Sequence, residues 1–394
     1  MTLARPDGPQ RAAIAGIGET RYTKWGGMTD RNEFQLAVEA IGVAARDAGI
    51  RLDEIDGLAC FADTSIDSSL LALALGIDDL RLCASVWGGR GGGPMGALAL
   101  AVDAVETGRA RHVAVFRSLC QGQTRRYGKF YPARMHADMV SPFGLFSAGQ
   151  GLAMLIQRYR HEYGFTDAQQ AMIPLMFRAN AQRNPRALMR GRPLTMEDYL
   201  NSRRIVDPLR VHDCCLETDG ACAVIVTTRE RARDLRKKPV RVLAAALGTA
   251  PGWSTGAMGA HNMPEDIFAS GGQAEVARQV FGMAGVAPED IDTAQFYDHF
   301  GPMIFMSLED FGFCKRGEGP AWIESGQGAW PTGGMPLNTH GGSLSEAYVH
   351  GFNHLLEGVR QLRGESTSQV ESAELCLVSG GSVIMPTTAA ILGV

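Results

Sequence analysis

Asp47-Ala48-Gly49-Ile50, followed by Asp53-Glu54-Ile55-Asp56, is answered 236 positions later by Met283-Ala284-Gly285-Val286 and Glu289-Asp290-Ile291-Asp292. In both copies a helix with one apolar face ends in Ala-Gly and a short acidic turn follows. An apolar run then leads into Cys60-Phe61 or Phe296-Tyr297. The chain is therefore read as a duplicated α/β unit. Chemistry in such a fold is expected where the two copies meet, and equivalent loops can be compared within one sequence.

Working outward, Arg11 to Gly18 reads as a buried strand and Phe34 to Ala48 as a helix, from the spacing of Leu36, Ile41 and Ala44. Next come a strand (Gly57 to Phe61), a helix (Ser68 to Leu75), a glycine-rich turn (Gly88 to Gly93), a helix (Pro94 to Thr107) and a strand (His112 to Phe116). Alternating strands and helices predict crossovers and a mostly parallel sheet. From Leu119 to Pro208 the texture changes: Met, Arg, Tyr and Phe crowd together, and two helical stretches, Gly149 to Tyr163 and Asp167 to Asn184, suggest an inserted cap. Ala221 to Thr228 is a strand, and Val240 to Gly248 opens the second copy, which runs to Val394. The expected division is thus 1–239, with the cap inside it, and 240–394.

A length of 394 residues suits two domains, and a net charge of −4 offers no basic field for nucleic acid. No apolar run approaches the ~20 residues that span a bilayer, and no leader pattern opens the chain, so a soluble, cytoplasmic protein is expected. The eight cysteines form no CxxC pair and no zinc-spaced cluster, which predicts neither a metal nor a disulfide framework. Cys214-Cys215 is read as structural.

Three turns carry chemistry. Trp87-Gly88-Gly89-Arg90-Gly91-Gly92-Gly93 opens a helix whose N–H groups suit an anion or oxyanion. Gln295-Phe296-Tyr297-Asp298-His299-Phe300 places three polar side chains at a strand end, and Asn338-Thr339-His340-Gly341-Gly342 leads through Tyr348 and His350 to Gly351. Each residue also has a plainer role open to it. Tyr297 and Tyr348 would serve as packing aromatics, His340 and His350 as partners of backbone carbonyls, Asp298 as an orienting carboxylate, and Arg125, Arg126 and Lys129 as a solvated face.

Taken together, these turns, the Asp219-Gly220-Ala221 strand entry and the duplication resemble the thiolase superfamily, in its branch of sterol-carrier-protein-type thiolases and lipid-transfer-protein-type aldolases. The resemblance implies a five-layered αβαβα fold and a homodimer. Aligned on Ala97-Leu98, the family's nucleophilic cysteine falls on Gly91. The family's Gly-His-Pro histidine falls on Tyr348, and the histidine and cysteine of its His-Asp-Cys-Phe motif fall on Tyr297 and His299. The C-terminal glycine turn falls near Cys376 to Ser382, with Ser379 just before Gly380-Gly381 and Cys376 upstream, and its register stays open.

Without the thiolate, what survives is the handling of a thioester enolate, which is all a retro-aldol cleavage needs. The resemblance implies a lyase cutting a 17-hydroxy-20-carboxyl-CoA steroid to a 17-ketosteroid and propionyl-CoA. Tyr348 is the expected base and Tyr297 the donor or oxyanion partner, and His299, Asp298 and His340 stand nearby. Gly91, Gly92, Asn338, Gly380 and Gly381 would shape the oxyanion site, and Arg125, Arg126 and Lys129 would meet coenzyme A, which enters only as part of the substrate. A tyrosine acting as base near pH 7 carries a handicap of about 3 pH units, roughly 4 kcal/mol, so either a positive neighbour is expected, supplied by His299, His340 or His350, or one of these histidines is itself the base with a tyrosine as donor. The resemblance further implies a small partner combining an OB-fold with a zinc ribbon. The alternatives are a non-catalytic lipid- or acyl-CoA-binding subunit and an acyltransferase with another nucleophile.

Overall fold

The structure, a computed structural model, describes residues 11–61, 66–86, 92–123, 141–252, 264–381 and 386–394. Their strands are β1 (Ala12–Glu19), β2 (Thr23–Lys24), β3 (Gly57–Phe61), β4 (Leu82–Val86), β5 (Val113–Leu119), β6 (Arg204–Val206), β7 (Leu209–Arg210), β8 (Thr218–Thr228), β9 (Val240–Gly248), β10 (Thr293–Gln295), β11 (Leu375–Gly380) and β12 (Thr387–Gly393). The main sheet runs β4-β3-β5-β8-β1-β9-β12-β11-β10. Read outward from its centre, the order repeats: β1 answers β9, β8 answers β12, β5 answers β11 and β3 answers β10.

The duplication extends to strand direction. β3–β5 and β10–β11 pair parallel, and β5–β8, β11–β12, β1–β8 and β9–β12 pair antiparallel. Helical crossovers therefore give parallel pairs on the flanks only. The centre is antiparallel because β8 and β12 each return beside the first strand of their own copy. A short antiparallel seam, Ala13 opposite Arg241 and Ile14 opposite Val240, joins the copies.

The repeated Ala-Gly turns are helix ends. The helices Glu33–Ala48 and Ala274–Ala284 stop at Gly49 and Gly285, whose φ of 82° and 69° is the left-handed cap that favours glycine. A short 3₁₀ turn follows each, Leu52–Glu54 and Pro288–Asp290.

Alternation along the strands builds the layers. On β5 and β8, Val113, Val115, Val224 and Val226 pack with the helices Pro94–Glu106 and Phe352–Arg363, whereas Ala114, Phe116, Ala223 and Ile225 pack with Glu33–Ala48. Leu377, Ala389 and Ile391 of the second copy face away from the central helices, toward Ala274–Ala284 and Met303–Asp310. Two central helices thus lie between two halves of the sheet, each covered outside by helices, in an αβαβα order. Each large apolar side chain withdrawn there contributes roughly 1.5–3 kcal/mol.

The segment between β5 and β8 holds the helices Ala148–Tyr163, Asp167–Arg183 and Met196–Leu200 and the small β6–β7 hairpin. It belongs to the first copy in sequence but packs on the second: Leu155, Ile156, Tyr159 and Phe177 share a core with Val276, Phe296 and Phe305.

Candidate active site

Phe296-Tyr297-Asp298-His299 continues directly from β10, and the backbone of its first two residues is tied down by side chains. Asn338, itself at φ 40°, accepts from the Phe296 N–H at 2.7 Å and donates to the Phe296 carbonyl at 2.8 Å. The Tyr297 N–H donates to Ser379 Oγ at 3.1 Å. Tyr348 is tied to the start of β8: its N–H donates to Thr218 Oγ1 at 2.9 Å, and Thr218 Oγ1 donates to the Tyr348 carbonyl at 2.8 Å. These anchors bring the Tyr297 and Tyr348 hydroxyls to 2.9 Å.

Tyr297 is buried, its ring stacked on His299 at 4.6 Å and 19°. Gly351, at φ 77°, passes beneath it, where a Cβ would stand 2.8 Å from Tyr297 Cδ2. A cavity of about 720 Å³ opens beside the pair, with Tyr348, His299, Phe300, Leu344, Cys214 and Cys215 on its wall. Tyr348 faces this cavity, and Tyr297 stands behind it. The far wall is the β6–β7 hairpin region, through Ile205 and Val211, together with Arg178 and Arg203.

Burial dominates the electrostatics. It raises the Tyr297 phenol well above its usual value, with the Tyr348 hydroxyl adding to the rise, so Tyr297 stays protonated. Burial pushes His299 down to about 4 and His340 down to about 3. Neither carries charge near neutral pH, which corrects the expectation that one of them supplies the positive neighbour. His299 lines the cavity as a neutral ring, with both of its ring nitrogens buried. A buried cation is linked to Tyr348 through His350: Arg117 Nε donates to His350 Nδ1 at 3.2 Å, and the His350 ring meets Tyr348 edge-on at 5.3 Å.

The other expected residues are placed as follows. Asp298 accepts from the Ser343 N–H at 2.8 Å and the Leu344 N–H at 3.1 Å and pairs with His354 Nε2 at 3.1 Å. Burial opposes its charge, but His354 and these two N–H groups hold its carboxyl below the usual range. It is an orienting carboxylate with no place on the cavity wall. His340 is wholly buried behind it, 2.9 Å from His354 Nδ1, and does not line the cavity. The Asn338 amide uses its oxygen and one N–H on Phe296, so it shapes the strand end, and Asn338 does not line the cavity.

Gly92 meets the C-terminal turn backbone to backbone: a Cβ there would stand 1.9 Å from the Pro386 carbonyl oxygen, and Gly381 Cα is 3.4 Å away. Gly381 adopts φ 93°, and Gly380 closes β11 opposite Thr388. Ser379 reaches Tyr297, whereas Cys376 is buried in β11 beneath Gly358. Gly91, Arg125, Arg126 and Lys129 lie outside the described residues.

Sequence reasoning missed Thr218, Arg117 and His354. Arg117 had a signal, a lone charge within the apolar run of β5, and the other two become visible only once distant segments meet. Among the described residues no group of three or more His, Cys, Asp or Glu is placed to hold a metal ion.

Residues 255–394 match the family model described as "Thiolase C-terminal domain-like". The 17-hydroxy-3-oxo-4-pregnene-20-carboxyl-CoA lyase of Mycobacterium tuberculosis is 40% identical over 393 residues, covering 97% of this chain and 99% of that protein. The steroid side-chain-cleaving aldolase of Thermomonospora curvata is 40% identical, covering 98% of each chain. The chain belongs to the steroid side-chain aldolases of the thiolase superfamily. The solved Ltp2-ChsH2(DUF35) aldolase superposes on this family member with a TM-score of 0.90 at 37% identity, covering 98% of both chains.

Proposed function

We propose that this aldolase-family chain is a lyase that cleaves a β-hydroxyacyl-CoA thioester by retro-aldol chemistry, taking a 17-hydroxy-20-carboxyl-CoA steroid to a 17-ketosteroid and propionyl-CoA. The observation that carries this reading is the tyrosine pair, hydroxyl to hydroxyl at 2.9 Å, with one member on a cavity wall. Tyr348, acting as the phenolate, takes the proton of the substrate hydroxyl and becomes the neutral phenol. The electrons of that O–H bond form the ketone as the adjacent carbon–carbon bond breaks, its pair passes to the thioester as an enolate, and the enolate carbon then takes a proton. Tyr297, kept protonated by burial, donates to the Tyr348 oxygen and stabilises the phenolate charge that Tyr348 carries before it takes the proton. Arg117, acting through His350, supplies the positive field that offsets part of the roughly 4 kcal/mol a tyrosine base lacks near pH 7. Neutral His299, stacked on Tyr297 at the cavity wall, is the nearest side chain to serve as donor to the developing enolate oxygen once the substrate opens its ring nitrogens to the cavity.

The acyltransferase alternative needs a thiolate at the cavity. Cys214 and Cys215 line it, but burial pushes Cys214 up to about 12 and Cys215 well above its usual value, which keeps both protonated. Gly91 at the aligned nucleophile position supports the same conclusion.

The assembly belongs to this proposal as well. A homodimer is supported by the open edge strand β4, which alternates exposed Cys83 and Ser85, beside a helix that leaves Leu70 58% and Leu73 75% exposed. The DUF35 component named in the similar aldolase supports a small separate partner of the OB-fold and zinc-ribbon kind. A cytoplasmic site of action is part of the same reading, and no described helix is long and apolar enough to cross a membrane. Incubation with the steroid thioester, with and without that partner, followed by product mass spectrometry tests the whole. A 17-ketosteroid and propionyl-CoA are expected, and an intact thioester under both conditions would overturn it.

A further inference from the structure

We infer that His354 is a positioning residue, which sets the Tyr297–Tyr348 hydrogen bond by holding Asp298 between the two segments that carry the tyrosines. This rests on the role proposed above for the pair. Asp298 follows Tyr297 directly, and its carboxylate grips the N–H groups of Ser343 and Leu344, at the start of the turn that leads to Tyr348. The third polar contact of that carboxylate is His354 Nε2 at 3.1 Å, from the helix Phe352–Arg363, and the same nitrogen lies 3.3 Å from Ser343 Oγ. The same ring lies edge-on to Tyr297, with centroids 6.4 Å apart.

The proton arrangement follows from the neighbours. An ionised Asp298 only accepts, and Ser343 Oγ beside the same nitrogen can accept as well, so a hydrogen on His354 Nε2 suits both neighbours. His354 Nδ1 then accepts from His340 Nε2 at 2.9 Å. His340 is wholly buried and stays neutral, which suits it to donate that one hydrogen. Glu346 stands 3.6 Å from the same nitrogen, fixed by Asn184 and Asn353. The clamp leaves no slack, since a Cβ on Gly342 would stand 2.1 Å from Asp298 Oδ2. A shift in Asp298 therefore moves Tyr297 and the approach to Tyr348 together, and a displacement of about 1 Å at reacting groups is enough to cost about 10²-fold in rate.

Two substitutions separate the arms of the ring. His354→Gln places an amide nitrogen near the Nε2 position and keeps the donor to Asp298. His354→Asn keeps a polar group near Nδ1, facing His340, and loses that donor. The expectation is kcat within about threefold of wild type for H354Q and about 10²-fold lower for H354N, with KM changed less than threefold in both. Equal kcat in the two variants, or a loss confined to KM, overturns the inference. If H354N does not fold, D298N takes its place, and wild-type kcat in D298N overturns it. A crystal structure of H354N, or of D298N in its stead, decides the matter without turnover. The hydroxyls are expected beyond hydrogen-bonding distance, against 2.9 Å here, and an unchanged separation overturns the inference even if the wild-type protein cleaves no steroid thioester. Absence of wild-type cleavage with the hydroxyls displaced would instead count against the proposed activity alone.

Discussion

The Tyr297 and Tyr348 hydroxyls share one hydrogen bond, although 51 residues separate them and only Tyr348 faces the cavity. Removing either hydroxyl leaves the ring in place and the packing almost unchanged. Tyr348→Phe should lower kcat by roughly 10²–10⁴-fold, and Tyr297→Phe by a comparable amount. The double variant should lose less than the product of the two losses, because both hydroxyls serve one proton transfer. Steady-state cleavage of the steroid thioester measures all three. Near wild-type rates in both single variants would shift the role of base to His299.

No covalent acyl-enzyme should form. The cavity cysteines are held as thiols, and glycine occupies the aligned nucleophile position. Intact-protein mass spectrometry after incubation with acetyl-CoA or acetoacetyl-CoA should return the unmodified mass. A stoichiometric adduct mapped to Cys214 or Cys215 would reinstate the acyltransferase reading.

Acid should destabilise the fold through its buried histidines. His299 and His340 titrate near 4 and 3 in the folded chain, against 6.5 as the reference value. Below pH 6.5 the unfolded chain therefore binds more protons than the folded one. Stability is undiminished above that pH and falls, by about 1.4 kcal/mol per unit for each group, as pH drops toward the folded values. Urea midpoints at pH 7.5, 6 and 4.5 should show the decline, and His299→Gln and His340→Gln should each make it shallower. An unaltered slope in both variants would refute the attribution.

Gly92→Ala tests the contact between the copies. Its Cβ has no room beneath the Pro386 carbonyl, so the C-terminal turn must move, and Ser379 lies on the strand leading into that turn. A fall in kcat of about 10²-fold is expected, with a folded protein by circular dichroism. Full activity would mean that this turn does not shape the site.

Light scattering at micromolar concentration should give the mass of a dimer. Replacing Leu70 and Leu73 by aspartate should give a monomer. A wild-type monomer would remove the support for the expected assembly.

Much of the fold was legible because it is written locally. The Gly49 and Gly285 caps, the 3.6-residue spacing of Leu36, Ile41 and Ala44 and the apolar run Gly57–Phe61 each act within a few residues. The predicted helices Phe34 to Ala48 and Pro94 to Thr107 lie within one residue of Glu33–Ala48 and Pro94–Glu106. The two tyrosines stood out because they occupy turns already marked by glycine and polar residues. What the sequence hid is nonlocal. Thr218 meets Tyr348 across 130 positions and Arg117 meets His350 across 233, and no periodicity reports such pairings. The antiparallel centre of the sheet and the seating of the cap on the second copy were hidden for the same reason. The neutral state of the histidines follows from burial, which the sequence around them does not state.

The narrow seam of two residue pairs between β1 and β9 bears on what each copy can do alone. Both phenols and Ser379 come from the second copy, whereas Thr218, Arg117 and Gly92 come from the first. A fragment beginning at Val240 would keep the reactive groups and lose the means of aiming them. Ancestral duplication here has become division of labour, with one copy bearing the chemistry and its twin serving as the jig. A substitution in the first half that touches no substrate is thereby able to read out as a defect in catalysis.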